Sequence, residues 1–591
     1  MYRAPVDEIA FTLKHVAGLK AGLDAGLFGD LSEDLVDAIL AEGGRFASEE
    51  IAPLAKAGDT QGACLDNAVV TTPPGWKELY SRWAEGGWNA LSGPVEFGGQ
   101  GLPNMLAMAA TEMWNAASMG FGLGPMLTMG SVDALEKHAS DEVKRLYLEK
   151  LVSGQWMGTM NLTEPQAGSD LAAMRSRAEP VGDGTYRIFG QKIYITYGEH
   201  DFTDNIVHLV LARLPDAPEG TRGISLFLVP KFLLDDDGAP DRRNDVFCSG
   251  LEHKLGIHGS PTCTMIYGDG FADGMAPGAL GWLIGEENKG LACMFTMMNN
   301  ARLAVGMQGV AVAEAALQKA LAYANERRQG KAASFVGKGM APIVHHPDVQ
   351  RNLLTMKALT QAARAIGYCC AHATDMARAG TDKSAFWQER ANLLTPVAKA
   401  FATDVGVDVA SIGVQVHGGM GFIEETGAAA FYRDARIAPI YEGTNGIQAI
   451  DLVMRKLPLS GGACVAAYIA ELREDVDAVR KSNLPGFGDT AAHLDRAVAD
   501  LEAATAFLAE AARDGNQQAA LAGATPYLRL FALAAGGALH ARGAVAAGSA
   551  ERIAVCRFFA ENIATESPAL RQRVTGGAES LAAAAEFLIS A

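Results

Sequence analysis

Cysteine is scarce. There are eight among 591 residues, at positions 64, 248, 263, 293, 369, 370, 464 and 556. None has CxxC spacing, and Cys369 and Cys370 are adjacent, so neither a disulfide framework nor a zinc site is expected. A reducing compartment fits this usage, and the cytoplasm is the expected location. Long runs of Lys and Arg are also missing. The 50 basic residues face 68 acidic ones, a formal net charge of −18, which repels a phosphate backbone on average. Nothing reaches the roughly 18 uninterrupted apolar residues of a membrane span; LFALAAGGAL (530–539) is short and broken by Gly. The start, MYRAPVDEIAFTLKH, carries Asp7-Glu8 and no long apolar core, so neither a secretory signal nor a transit peptide is expected. The final LISA is not a peroxisomal address.

What remains is ample core material. Hydrophobic residues make up 49% and charged residues 20%, which excludes a wholly disordered chain. At about 150 residues per domain, the length predicts roughly four units. Residues 1–158 read mostly as helix, with apolar residues three and four apart in LVDAILAEGGRFASEEIAPLA (35–55) and a Gly/Pro-dense loop at 91–103. From 159 to 290 the period changes. TYRIFGQKIYITYG (185–198), NIVHLVLARL (205–214), GISLFLVP (223–230) and TCTMIYGDGFA (262–272) read as strands, predicting an antiparallel sheet or small barrel. Long helical patterns return over 291–460, at 301–328 and 347–379. LPLSGG (457–462) reads as a linker into an Ala-rich helical block, 461–591. The fold class is α+β, mostly α.

Several segments could carry chemistry. In MNLTEPQAGSDL (160–171), Gly168-Ser169-Asp170 can turn backbone N–H groups outward, and Thr163 and Ser169 add hydroxyls; such a nest suits a flavin or pyrophosphate, and an ordinary polar loop has the same composition. QKIYITYG (191–198) puts Tyr194 and Thr196 on one strand face, where a ring beside a hydroxyl could meet a planar cofactor or simply pack. QVHGGMGFIEETG (415–427) lacks the third Gly of a dinucleotide fingerprint, so its glycines serve close approach to a ligand or subunit, or just end a helix. In YEGTNGIQAIDLV (441–453), Glu442 precedes a Gly and the N-cap candidate Thr444. There it could be a base tuned by burial, or only a favourable charge for the helix dipole. Arg302, among apolar residues of a predicted helix, needs a carboxylate or phosphate partner. ERRQGK (326–331) ends that helix with cations that suit its dipole or a pyrophosphate. No metal site is read from the sequence.

Taken in order, EPQAGSD, QKIYIT, ARLAVGMQG, ERRQGK, QVHGGMGF and RDARIAPIYEGTNGIQ resemble the signatures of the acyl-CoA dehydrogenase family over about residues 35–456. The resemblance implies an N-terminal helical domain, a middle β-domain and a C-terminal four-helix bundle, here with an extra C-terminal helical domain. It implies one non-covalent FAD per chain. Glu442 would be the base for the α-proton of an acyl-CoA thioester, while hydride passes to flavin N5. The Glu442 N–H would hold the thioester carbonyl. Thr163, Ser169, Tyr194, Thr196 and Thr444 would contact FAD, and Arg327, Gln415, Gly418 and Gly419 the FAD of a neighbouring subunit. Arg302 and Gly443 would face the substrate. Two departures stand out: ERRQGK is one residue shorter than the common pattern, and Asn300-Ala301 before Arg302 argues against a base on that helix. An electron-transferring flavoprotein is the implied acceptor and a homodimer the implied assembly.

YRAPVDEIAFTLKHVAGL, EHKLGIHGSPTCTM (252–265) and the block after 460 resemble a large bacterial subgroup of that family. This implies 3-(methylthio)propanoyl-CoA as substrate and methylthioacryloyl-CoA as product, in dimethylsulfoniopropionate demethylation. Met119, Met126, Met129, Met294, Met297 and Met298 could line a thioether pocket or fill a core. The rival readings are a straight-chain short- or medium-chain dehydrogenase, an acyl-CoA oxidase, and a DNA-associated flavoprotein of the same fold.

Overall fold

A computed structural model describes residues 1–272, 274 and 276–589. The chain divides into two compact units. The sheet unit takes residues 46–107 and 117–301; the helical unit takes 1–45, 108–116 and 302–591.

The sheet unit is built on eight strands. Seven lie in the spatial order Val246–Leu251, Thr262–Tyr267, Thr185–Thr196, Ala279–Ile284, Ser225–Pro230, Ile206–Ala212 and Met157–Asn161, with Arg177–Pro180 paired to Thr185–Thr196. All pairings are antiparallel except one: Met157–Asn161 runs parallel to Ile206–Ala212. The sheet is therefore mixed, where the sequence led us to expect an antiparallel one. Its inner strands are covered on both faces. Leu209, Leu211, Leu226 and Leu228 join a core with Leu127, Leu135 and Leu148 of the helices Met119–His138 and Asp141–Val152. Val210, Ala212, Phe227 and Val229 point into a second core with Ile188, Ile195 and Met265. Two covered faces explain why these strands read as continuous apolar runs rather than alternating ones. Met294 and Met297 are fully buried in the first core, with Met126, Met129 and Met298 packed against it, and Met119 is buried as well. These methionines fill a core, as their adaptable shape allows. Both helices begin on a serine cap, Ser118 accepting from Phe121 N and Ser140 from Val143 N.

The helical unit centres on Pro347–Arg378 and Ser384–His417, joined by the long helix Gly290–Glu326 from Arg302 onward. A buried charge cluster ties its elements together. Arg364 pairs with Glu112 at 2.7 Å and Glu314 at 2.8 Å, and Tyr368 Oη donates to Glu112 at 2.6 Å. Leu457–Gly462 is a turn, not a loose tether: Ser460, Gly461 and Gly462 all have positive φ, and Ser460 Oγ donates to Glu389. The extension then supplies Ala463–Ser482, Thr490–Arg513, Gln517–Ala547, Ala550–Asn562, Ser567–Gly576 and Ala578–Ile589. Gln517–Ala547 is long and apolar enough to cross a membrane, yet 72% of its most apolar window is buried within the fold. It packs against its neighbours in the extension, against Pro347–Arg378 and against the short helix Asn445–Asp451. All eight cysteines are free.

Candidate active site

In the sheet unit, strand Met157–Asn161 runs into a loop that carries Thr163 and Ser169. Its anchor is Glu164, 3% exposed, which accepts from Lys192 Nζ at 2.8 Å, Arg175 N at 2.7 Å and Ser176 N at 3.0 Å. Burial pushes this carboxyl up, but the Lys192 ammonium and the other donors win and hold it at about 2. Lys192, fully buried, is pushed down to about 8 by burial against the pull of Glu164. The loop is thereby fastened to strand Thr185–Thr196. Ile193 N also donates to the Thr163 carbonyl at 2.9 Å. A bulge follows: the register against Thr262–Tyr267 slips between Met265↔Lys192 and Cys263↔Ile195. Tyr194 sits in it with φ +60° and is 60% exposed, while Ile195 is buried and Thr196 half-buried. Tyr194 and Thr196 thus share a face beside Thr163. The hydroxyls of Thr163, Ser169 and Thr196 make no hydrogen bond among the described residues.

In the helical unit, Tyr441–Glu442–Gly443 forms a strained turn into the helix Asn445–Asp451, with Thr444 as N-cap accepting from Ile447 N at 3.3 Å. Glu442 has φ +55° and Gly443 φ +86°. The left-handed region costs a non-glycine residue about 1–3 kcal/mol, so the surroundings must over-determine it. They do. Gln448 Nε2 donates to the carbonyls of Glu442 and Gly443, each at 3.3 Å, and Lys399 Nζ donates to the Gly443 carbonyl at 2.9 Å. At φ +86° any side chain on Gly443 would be strained, and its Cβ would also come within 2.7 Å of Gln448 Nε2. Tyr441 Oη donates to Gln308, and Gln308 Nε2 to Asn115 at 3.0 Å. Glu442 itself is half-buried. Burial pushes its carboxyl up to about 7, against the pull of Arg302 and Lys399. Arg302, half-buried on its helix, feels Asp451 and Glu442.

Arg327, Gln415, Gly418 and Gly419 form a separate, exposed group in the same unit. Tyr323 stacks on His417 with ring centroids 4.4 Å apart, so the C-terminal ends of the helices Gly290–Glu326 and Ser384–His417 meet there. Gln415 lies 16 residues along its helix from Lys399, roughly 24 Å at the α-helical rise. The structure thus gathers Arg302, Glu442, Gly443 and Thr444 but keeps Arg327 and the Gly418–Gly419 turn at a distance. Glu424 and Glu425 are exposed, so neither is poised by burial as Glu442 is.

The residues missed in the sequence are Lys399, Asn445 and Gln448. Lys399 did leave a signal, being the lone Lys or Arg between Arg390 and Arg433.

Residues 35–155, 159–269 and 288–457 match the acyl-CoA dehydrogenase N-terminal, middle and C-terminal domains, and residues 465–585 match an acetyl-CoA dehydrogenase C-terminal-like domain. The chain belongs to the acyl-CoA dehydrogenase family. It is 46% identical to 3-methylmercaptopropionyl-CoA dehydrogenase of Ruegeria pomeroyi, over 98% of this chain and 99% of that one. It is 33% identical to a butyryl-CoA dehydrogenase of Syntrophomonas wolfei, over 83% and 81%. The fold matches an acyl-CoA dehydrogenase from Bacillus anthracis complexed with FAD, with a TM-score of 0.73 and 22% identity over 97% of this chain and 92% of that one. As an acyl-CoA dehydrogenase the chain is an oxidoreductase whose family cofactor is FAD. The sheet unit fits that group: unpaired hydroxyls at Thr163, Ser169 and Thr196 and an exposed ring at Tyr194 are the donors and the apolar surface that flavin carbonyls, a pyrophosphate and a planar ring system require.

Proposed function

We propose that this enzyme dehydrogenates 3-(methylthio)propanoyl-CoA to methylthioacryloyl-CoA, the step belonging to dimethylsulfoniopropionate demethylation, with Glu442 as the base that removes the α-proton. The observation that carries the mechanism is the Glu442 turn. Its carboxyl, held near 7, is ionised enough at neutral pH to accept a proton and basic enough to retain it. Among the described residues the Glu442 N–H donates to no backbone acceptor, and we assign it to the thioester carbonyl, where negative charge develops. Arg302 and Gly443 face the CoA thioester. Thr163, Ser169, Tyr194, Thr196 and Thr444 hold the cofactor. Arg327, Gln415, Gly418 and Gly419, too far along their helices to serve this chain's own base, serve the cofactor of a second copy in a homodimer. FAD, when bound, supplies the two-electron acceptor for the β-hydrogen. An electron-transferring flavoprotein then takes the electrons, and the enzyme works in the cytoplasm.

The substrate rests on the 46% identity to a relative of that name across nearly both full lengths. A second reading, a straight-chain short acyl-CoA, is favoured by the core placement of the methionines, which leaves Met294 and Met297 without exposure to any ligand. Turnover on a panel of acyl-CoAs with a dye acceptor decides. 3-(Methylthio)propanoyl-CoA should exceed butyryl-CoA and pentanoyl-CoA in kcat/KM, the last differing only by a methylene in place of sulfur. Preference for a straight chain would establish the second reading. Fast reoxidation of the reduced enzyme in air, with stoichiometric peroxide, would replace the flavoprotein acceptor by oxygen.

A further inference from the structure

Lys399 lies in the middle of the helix Ser384–His417 and is fully buried. Its ammonium makes two hydrogen bonds, to the Gly443 carbonyl and to Asn445 Oδ1, each at 2.9 Å. Neither goes to a carboxylate. Asn445 is itself clamped, donating to Asp404 Oδ1 at 2.7 Å, to Thr403 Oγ1 at 3.0 Å and to the Ala400 carbonyl at 3.1 Å. A buried ammonium without a contacting carboxylate is costly, and hydrogen bonding to a loop carbonyl could be achieved by an uncharged donor. What the charge adds here is a field at Glu442.

We propose that Lys399 is a positioning residue for proton abstraction: it pins the Glu442–Gly443 turn through the Gly443 carbonyl and sets its ammonium beside the base without pairing to it. This rests on Glu442 being the base. The charged and titratable groups that share the site are Arg302 on its helix, Asp404 on the Lys399 helix, Tyr441 beside the base, and Asp451, Arg455 and Lys456 after it. Among them Arg302 and Lys399 favour the ionised carboxylate. Lys399 is itself pushed down to about 7 by burial, against the pull of Glu442 and Asp404, so its charged form faces the base on the acidic side of 7.

The acidic limb of the kcat/KM profile of the FAD-loaded enzyme reports the base. Lys399→Met should move that limb up by about one pH unit, the size expected for losing a nearby opposite charge. In the same variant, the infrared band of the protonated carboxyl, assigned by its absence in Glu442→Gln, should titrate at correspondingly higher pH. Lys399→Arg keeps the charge but cannot place it on both acceptors; the limb should stay in place while kcat falls about tenfold. A limb and band unmoved in folded Lys399→Met would overturn the proposal. Were that variant not to fold, wild-type kcat in Lys399→Arg would overturn it. Wild-type turnover in Glu442→Gln is a different failure, because it removes the base reading whatever the lysine variants do.

Discussion

In the sheet unit, Lys192 and Glu164 meet at 2.8 Å with side chains 0% and 3% exposed. In the helical unit, Lys399 is as deeply buried, yet directs its hydrogen bonds to a backbone carbonyl and an amide. The same two residue types serve each site, but only the first pair touches. Contact drives the two titrations apart, to about 2 for Glu164 and about 8 for Lys192, so both stay charged through neutrality and the pair acts as a fastener. Without contact, Glu442 and Lys399 both lie at about 7, where a proton can move on and off. Geometry, more than burial, separates a structural ion pair from a titrating one.

Breaking either arrangement should show that difference. The largest effect is expected from Glu442→Gln, which keeps size and removes the base. Turnover should drop by about 10²–10⁴-fold, with FAD still retained in the visible spectrum and acyl-CoA still bound by calorimetry. Lys192→Met comes next. It leaves Glu164 buried without its cation, a loss of about 3–5 kcal/mol for a broken buried pair. Here the expected signature is a lower thermal midpoint together with loss of bound FAD, because the Thr163–Ser169 loop comes loose.

The pH dependence of stability sharpens the contrast. Glu164 has its carboxyl depressed, so its contribution is present above the ordinary carboxylate range and is lost as pH falls towards 2. Glu442 has its carboxyl raised, so it destabilises the fold as pH rises from the ordinary range through 7, where the unfolded chain has already shed the proton. Glu442→Gln should therefore raise the thermal midpoint at pH 8, with the gain shrinking towards pH 5, whereas Glu164→Gln should lower it at both. Differential scanning calorimetry at the two pH values reads the signs directly. The smallest effect belongs to the loop the Lys192 pair supports. Ser169→Ala removes one unshared hydroxyl, worth about 0.5–1.5 kcal/mol, and should weaken FAD binding to the apoprotein by about two- to tenfold without moving the thermal midpoint.

Much of this was legible in the chain. Asp183-Gly184 and the β-branched run after it mark the strand Thr185–Thr196, and the long periodic stretches mark Gly290–Glu326 and Pro347–Arg378. Glu442 and its cap Thr444 were found because a helix start has a local chemistry. Strand Met157–Asn161 was not read, since a short strand covered on both faces lacks the alternation that marks a half-exposed one, and the edge strand Val246–Leu251 was missed because a bulge between Cys248 and Gly250 interrupts its pattern. The Glu164–Lys192 fastener was also hidden: 28 residues separate its partners, and nothing local to either announces the other. Lys399 acts on a turn 44 residues away through hydrogen bonds that only the packed helices create.

Two segments of the helical unit far apart in sequence close on each other. Glu8, near the beginning, pairs with Arg552 at 2.9 Å, and Arg542 donates to the Val16 carbonyl at 2.8 Å. Five hundred and forty-four residues separate Glu8 from Arg552. At a synthesis rate of about 5–20 residues per second, the first segment waits on the order of half a minute to two minutes for its partner to leave the ribosome. The sheet unit lies wholly within the first 301 residues and can close long before. Thr163, Ser169, Tyr194 and Thr196 therefore leave the ribosome while the helices next to Glu442 are still being made.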